Sequence, residues 1–249
     1  MIFHTFGNKE NKAVVLIHGM LTPWQIWNKA AGMFSGGYYV VVPELDGHTE
    51  DDASRFISVD DEVSKIRSYI KTELGGRVYL LAGLSMGGRI AATVAKSDDI
   101  TIENLVLDGA PLTNLNGLMK SIFKKNYISI INKSKVRDPK ILESAKKDFL
   151  PKEFIGDYLK IADNMEPENV NNIIGSVFAD FEFIAYPRDM RILFMHGTKG
   201  NESVSRKSAV RMKKANPQTE IRCFEGLAHA ELACFKPEQW IKEVEDFLA

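Results

Sequence analysis

Several short runs of apolar residues recur along the chain with no polar residue alternating between them. They cover residues 13–17, 38–42, 78–82, 105–107 and 192–195, and a further strand is predicted at 220–224. Uninterrupted apolar runs of this length are typical of strands that are buried on both faces of a parallel sheet. The pattern therefore predicts a sheet whose strands are largely parallel.

Helical patterns lie between these runs, at residues 24–34, 60–74, 89–96, 205–215 and 237–248. Pro237 suits the first turn of the last helix, where a backbone N–H is not needed. Regular alternation of strand and helix indicates the α/β class, with helices flanking a mostly parallel sheet.

The alternation stops once, between about residues 112 and 188. This stretch contains no convincing strand, and its apolar residues have approximately helical spacing between scattered prolines and glycines. It is too long and too apolar for a plain loop. We therefore predict a core formed by residues 1–111 and 189–249, with a helical cap, residues 112–188, inserted into it over one edge of the sheet.

Composition narrows the class of protein. Hydrophobic residues make up 45% of the 249 residues, which excludes a disordered chain, and 32 Lys and Arg balance 33 Asp and Glu. A protein that binds nucleic acid through its phosphates normally has a basic surplus, so we do not expect this protein to bind nucleic acid. The two cysteines, Cys223 and Cys234, cannot form a disulfide framework. No secretory signal and no apolar run of ~20 residues is visible. We expect a cytoplasmic protein with a small-molecule substrate and no membrane partner.

A G-x-S-x-G motif, Gly83-Leu84-Ser85-Met86-Gly87, follows the apolar run at 78–82 and precedes an Ala-rich helix. Ligands of parallel sheets bind beyond the carboxyl ends of the strands. A serine on a sharp strand–turn–helix connection exposes its hydroxyl there, and small neighbours let strand and helix approach. The N-terminus of the following helix directs positive partial charge at a nearby oxyanion. Ser85 is therefore the predicted nucleophile.

Two further loops at strand ends carry matching chemistry. His18-Gly19-Met20 follows the run at 13–17, so the backbone N–H groups of Met20 and Met86 can form an oxyanion hole. Gly226-Leu227-Ala228-His229 follows the strand at 220–224, which makes His229 the predicted base. We expect His18, His48 and His196 to brace their own loops.

These motifs, in this order on alternating strands and helices, resemble the α/β-hydrolase superfamily, and the resemblance covers nearly the whole chain. The insertion at 112–188 stands where that superfamily usually has its cap. The resemblance implies acyl transfer through an acyl-enzyme, with Ser85 as nucleophile and His229 as base. No metal or organic cofactor is expected, because the histidines and cysteines form no cluster with metal-ligand spacing.

The acid of the expected triad departs from the pattern of the superfamily. Residues 196–204 contain no Asp, and Asn201 occupies the usual position with Glu202 beside it. An amide there would favour the wrong imidazole tautomer, whereas Glu202 is one methylene longer than Asp and can reach from a neighbouring position. Asp108, at the end of the strand before the insertion, is the alternative, because some lipases of the superfamily take their acid from there. We choose Glu202 and keep Asp108 open.

The predicted reaction is hydrolysis of a carboxylic ester or related acyl substrate by a serine hydrolase of the carboxylesterase or lipase type. Phe178, Phe181, Phe183 and Trp24 are expected to line an apolar pocket for it, if they do not form the core of the insertion.

Two other functions stay open. Residues 85–89 are similar to the elbow of the menaquinone-pathway synthase that eliminates pyruvate, in which the arginine matching Arg89 contacts an anionic substrate. That similarity implies a C–C hydrolase or lyase acting on a carboxylate-bearing substrate, unless Arg89 is simply exposed on its helix. The missing Asp would instead fit a catalytically degraded, ligand-binding α/β-hydrolase.

Overall fold

The computed structural model describes residues 1–49, 54–200 and 202–249, and within them seven strands form one sheet. In chain order these strands are β1 Ile2–Phe6, β2 Ala13–Ile17, β3 Tyr39–Glu44, β4 Arg77–Leu84, β5 Thr101–Asp108, β6 Arg191–Gly197 and β7 Thr219–Phe224. Val, Ile and Leu dominate β2 to β6, and most of their side chains are buried, because helices cover both faces of the sheet.

The helices within the described residues are α1 Asn28–Phe34, α2 Val59–Glu73, α3 Met86–Val94, α4 Gly117–Lys135, α5 Pro139–Asp148, α6 Ile155–Asn164, α7 Pro167–Val177, α8 Glu202–Ala215, α9 Glu231–Phe235 and α10 Pro237–Leu248. Helices α4 to α7 all fall between β5 and β6, where α4 packs on α6 and α7. None of the helices described is long and apolar enough to cross a membrane.

The sheet has the strand order β1-β3-β2-β4-β5-β6-β7, in which only β1 runs antiparallel to its neighbour. The chain moves from β2 outwards to β3 and then returns to place β4 on the other side of β2. Such a reversal opens a crevice at the carboxyl ends of the two central strands. The loops after β2 and β4 therefore meet at the point where a ligand can enter.

The α/β fold with a mostly parallel sheet is confirmed, and the six predicted strands are present within a few residues of their expected bounds. The edge strand β1 was not predicted. Its five residues, Ile2–Phe6, are partly exposed and include His4 and Thr5, so they lack the uninterrupted apolar run that identified the other strands. Its place is set by pairing with β3, from Ile2 opposite Glu44 to Phe6 opposite Val40.

Candidate active site

Ser85 stands on the turn between β4 and α3 in a backbone conformation that is rare for a residue with a side chain, with φ 53° and ψ −114°. Such strain is retained where the surrounding structure enforces it. A Cβ atom added to Gly83 would lie 2.2 Å from the carbonyl oxygen of Gly87, and one added to Gly87 would lie 2.3 Å from that of Ile17. Both positions require glycine, as the motif indicated, because strand and helix approach closely there.

A continuous chain of hydrogen bonds joins three of the predicted side chains. The Ser85 Oγ lies 2.8 Å from Nε2 of His229. The other ring nitrogen of His229, Nδ1, bonds to Oε1 of Glu202, whose Oε2 accepts from the Gly197 N–H at 3.0 Å. Because the carboxylate can only accept, the Nδ1 of a neutral ring carries the proton, and Nε2 is left free to accept from the serine hydroxyl.

The local backbone places Glu202 at this point. It is the first residue of α8, where the helix dipole favours a carboxylate, and its side chain is 2% exposed. A Cβ on Gly109, which has a φ of +63°, would lie 2.8 Å from Cε1 of His229, so the end of β5 must carry glycine to admit the ring. Asn201, the residue at the usual acid position, lies outside the described residues.

Asp108, the alternative acid, is buried and 5% exposed. Within the described part of the chain, it makes no hydrogen bond to His229. Burial, together with the charge of Glu202 nearby, raises the pKa of the Asp108 carboxyl to about 7. The backbone of Asp108 has a separate role, because its carbonyl accepts from the Ser85 N–H at 2.7 Å and so fixes the turn.

Two buried histidines hold the loop that carries Met20. Nε2 of His48 accepts from the Leu21 N–H at 3.0 Å, and Nε2 of His18 accepts from the Leu45 N–H at 3.1 Å. Burial lowers the pKa of His48 to about 4 and that of His18 to about 3, so both rings are neutral acceptors at pH 7. Both side chains therefore brace the loops whose amides they bind.

Met86 directly follows Ser85 in the chain, and Met20 lies in the loop after β2. Met86 is the first residue of α3, a position whose N–H has no acceptor within the helix. Gly19, the residue before Met20, lies so close that an added Cβ would be 3.4 Å from Cβ of Ser85. Leu21, the residue after Met20, has a φ of 59°, which gives the loop a sharp bend.

A small crevice of about 50 Å³ opens at Ser85 and His229. Of the four aromatic residues expected to line it, Phe178 does. The other three do not line it. Trp24 stacks on His4 at a centroid distance of 3.7 Å, and Phe181 packs edge-on against Phe183 at 4.9 Å as part of the hydrophobic core, which is the alternative that the sequence left open for them.

Phe123 and Tyr127, both on α4, also line the crevice, and the sequence reasoning missed them. Phe123 stacks on Phe178 at 5.5 Å. Their spacing of four residues marks one face of a helix, but that spacing does not say which face turns towards the serine.

Arg89 is neither exposed on its helix nor at the crevice. It is 5% exposed, and its guanidinium donates to the carbonyl oxygens of Ala179 at 3.2 Å and Asp180 at 2.9 Å. It also lies 4.8 Å from the ring centre of Phe181. Arg89 therefore ties the segment after α7 to the core helix α3.

Three carboxylates at a separate place from Ser85 lie close enough together to bind a metal ion. Oxygen atoms of Asp46, Asp61 and Glu62 lie within 4.8 Å of one another. The ammonium group of Lys65 pairs with Asp46, lies 2.5 Å from Asp61 and lies 3.6 Å from Glu62. A lysine thus already supplies the positive charge that this group of acids needs.

The comparisons with known proteins agree with this architecture. The sequence profile of the Alpha/beta hydrolase family matches residues 14–243. The chain is 26% identical over 109 residues to an AB hydrolase superfamily protein of Gibberella zeae, and the match covers 43% of this chain and 39% of that protein. The chain thus spans well under half the length of this relative.

Solved structures share the fold over almost the full length. A carboxylesterase of the thaumarchaeon Nitrososphaera gargenis superimposes with a TM-score of 0.74 at 14% identity, covering 99% of this chain and 93% of its own. MenH from S. aureus superimposes with a TM-score of 0.70 at 18% identity, covering 99% and 97%. The family profile spans most of the chain, and both the strand order and the sharp turn that carries Ser85 agree with that family. This protein therefore belongs to the alpha/beta hydrolase family.

Proposed function

We propose that this chain is a serine hydrolase that cleaves a carboxylic ester, or a related acyl substrate, through an acyl-enzyme. The observation that carries the proposal is the chain of contacts from Glu202 through His229 to Ser85 at the carboxyl edge of the sheet. A serine within 3 Å of a histidine that is itself oriented by a carboxylate has the arrangement of an activated nucleophile.

In this mechanism, the Ser85 oxygen attacks the carbonyl carbon of the ester while Nε2 of His229 takes the hydroxyl proton. Glu202 stabilises the imidazolium ion that forms. The bond to the alcohol then breaks, and His229 returns the proton to the departing oxygen. A water molecule repeats the same steps on the acyl-enzyme, releasing the carboxylic acid and restoring the serine.

The amides of Met20 and Met86 are proposed to donate to the oxyanion of each tetrahedral intermediate. The bend at Leu21 and the free first turn of α3 support this assignment. Removing one donor of this kind typically costs about 3 kcal/mol of transition-state stabilisation.

The two alternatives have less support. The lyase alternative depended on Arg89 meeting an anionic substrate, but the guanidinium is engaged with Ala179 and Asp180. The degraded-enzyme alternative depended on a missing acid, but a carboxylate is bonded to His229. Both observations favour a complete hydrolytic apparatus.

The nucleophile is tested by comparing Ser85→Ala with Ser205→Ala. Ser205 lines the same crevice, but its hydroxyl donates to the Gly109 carbonyl instead of to His229. We expect Ser85→Ala to lower kcat/KM for p-nitrophenyl acetate by at least about a thousandfold, and Ser205→Ala to change it little.

Labelling by a fluorophosphonate supplies a second measurement, because it requires an activated hydroxyl. Wild-type protein should be labelled at Ser85 with one equivalent, and Ser85→Ala should not be labelled. Full activity of the Ser85→Ala variant would refute the proposed nucleophile. So would a wild-type protein that is active but is not labelled.

A further inference from the structure

The crevice at Ser85 is too small to hold a long acyl chain. It has a volume of about 50 Å³, whereas a single water molecule occupies roughly 30 Å³ in the liquid. An acyl group longer than acetyl must therefore extend into neighbouring space. A second cavity of about 250 Å³ adjoins the crevice, since Tyr127 lines both.

This second cavity lies between α4, α5 and α6 and reaches the loop after β2. Leu21, which is 2% exposed and directly follows Met20, forms part of its wall. The apolar part of its wall is formed by Leu21, Ile130, Ile141, Ala145, Phe149 and Tyr158. The cavity therefore touches the proposed oxyanion loop and lies between helices α4, α5 and α6.

The chemistry of the wall selects a class of ligand. Apart from the hydroxyls of Tyr127 and Tyr158, its polar side chains are those of Ser144 and Asp148, both exposed on α5, so this end of the cavity faces solvent. The lining includes no lysine or arginine, and the Asp148 carboxylate disfavours an anionic group. The cavity suits an uncharged hydrocarbon or aromatic group, because burying apolar surface against such walls is favourable.

The volume also limits the size of the ligand. An apolar cavity of about 150 Å³ admits benzene. If each methylene group is counted at roughly the 30 Å³ of a water molecule, about 250 Å³ corresponds to a chain of roughly eight carbons.

Tyr127 forms the boundary between crevice and cavity. Its side chain is half-buried, and its hydroxyl forms no hydrogen bond with the rest of the described chain. No polar contact with those residues holds the ring in one rotamer.

We propose that the cavity between α4, α5 and α6 binds the uncharged, medium-length apolar acyl chain of the substrate, with Tyr127 as the movable boundary. The inference rests on the proposed function, since it assigns the acyl chain of an ester whose carbonyl carbon is attacked by Ser85.

The first test fills the cavity. Ala145→Phe places a ring in it from α5, whereas the control Ser129→Phe places the same ring on the exposed side of α4. For a series of p-nitrophenyl esters, we expect Ala145→Phe to lower kcat/KM for octanoate by about tenfold or more relative to acetate. Ser129→Phe should retain the wild-type chain-length profile. Ile141→Phe, at a half-buried wall position, provides the same test if Ala145→Phe does not fold.

The second test measures binding without hydrolysis. Decan-2-one, a neutral ketone that resembles a medium-chain ester, is titrated calorimetrically into Ser85→Ala and into Ser85→Ala with the filled cavity. The inference requires binding to the first and at least about tenfold weaker binding to the second. Equal binding to both, or an unchanged chain-length profile in the filled variants, would overturn it.

These outcomes separate the two proposals. Labelling of Ser85 and cleavage of acetate without ketone binding would refute the acyl cavity and leave the hydrolase standing. Ketone binding that the filled cavity abolishes, in a protein whose Ser85 is never labelled, would refute the hydrolase and leave the binding cavity standing.

Discussion

Two carboxyl groups near His229, one at the end of β5 and one at the start of α8, have different environments. Glu202 accepts a hydrogen bond from the Gly197 amide and bonds to Nδ1 of His229. Asp108 is buried beside it, and the pKa of its carboxyl is raised to about 7. Burial and the charge of Glu202 both disfavour the ionised form of Asp108.

The activities of two amide variants should separate these carboxylates. Glu202→Gln removes the acceptor that fixes the His229 tautomer, and we expect kcat to fall by about four orders of magnitude, as in serine proteases. Asp108→Asn should lower kcat by less than about tenfold. Steady-state kinetics with p-nitrophenyl acetate measures both. The opposite ranking would assign the acid to Asp108.

The stability of Asp108→Asn should depend on pH in a defined direction. A carboxyl whose pKa is raised on folding stabilises the protein fully below its unfolded pKa, and this stabilisation is lost as the pH rises through the folded value of about 7. Thermal unfolding at pH 5 and at pH 8 should therefore show a Tm difference, Asn variant minus wild type, that becomes more positive at pH 8. A difference that is constant with pH would contradict a raised pKa at this position.

At the scale of elements, the loop after β2 is shaped by contacts from the loop after β3. His48 accepts from the Leu21 amide, and the backbone there has a positive φ that a non-glycine residue adopts only under constraint. The two loops lie side by side because β2 and β3 are paired in the sheet. The direction of the Met20 N–H therefore depends on a residue of a different element.

His48→Ala should disturb this loop, and His48→Gln should restore part of it. The Ala variant leaves the Leu21 amide without its acceptor, which destabilises a protein by about 1–3 kcal/mol. If the Met20 donor is misplaced, kcat for p-nitrophenyl acetate should also fall by about tenfold or more, with a smaller change in KM.

The Gln side chain can offer an oxygen to the Leu21 amide, so the kcat of His48→Gln should lie between those of the Ala variant and the wild type. Equal kcat values for wild type and the Ala variant would mean that His48 has no influence on the oxyanion loop.

For the whole molecule, Arg89 joins the segment that follows α7 to the core. Its guanidinium bonds to two backbone carbonyl oxygens, and the nearby Tyr186 hydroxyl donates to the Ala92 carbonyl at 2.7 Å. Burial lowers the pKa of the Arg89 guanidinium to about 10, so it stays charged at pH 7. These contacts fix the residues that follow α7 against α3.

Arg89→Met should therefore lower stability rather than alter substrate choice. Losing two partly buried hydrogen bonds from a charged donor is expected to cost about 1–3 kcal/mol in chemical denaturation. Arg188→Met, at an exposed position, is the matched control and should change stability by less than about 0.5 kcal/mol. Well below the unfolding midpoint, both variants should hydrolyse p-nitrophenyl acetate like wild type. Selective loss of activity on a carboxylate-bearing substrate by Arg89→Met would instead favour a lyase.

The sequence by itself determined the α/β class, the buried strands and the turn that carries Ser85. These features are encoded locally: an apolar run specifies a buried strand, and Gly83 and Gly87 are required by a close approach within one strand–turn–helix unit. The edge strand β1 escaped prediction because its residues are only partly buried, and its pairing with β3 joins distant parts of the chain.

Only the tertiary structure decided which carboxylate meets His229, which aromatic rings line the crevice, and where Arg89 points. Each of these depends on the relative placement of elements far apart in sequence. Glu202 reaches His229 because α8 begins beside the end of β7, and Phe123 and Tyr127 reach the crevice because of the face that α4 presents. Helical spacing identifies residues that share a face, but only packing against the sheet determines what that face contacts.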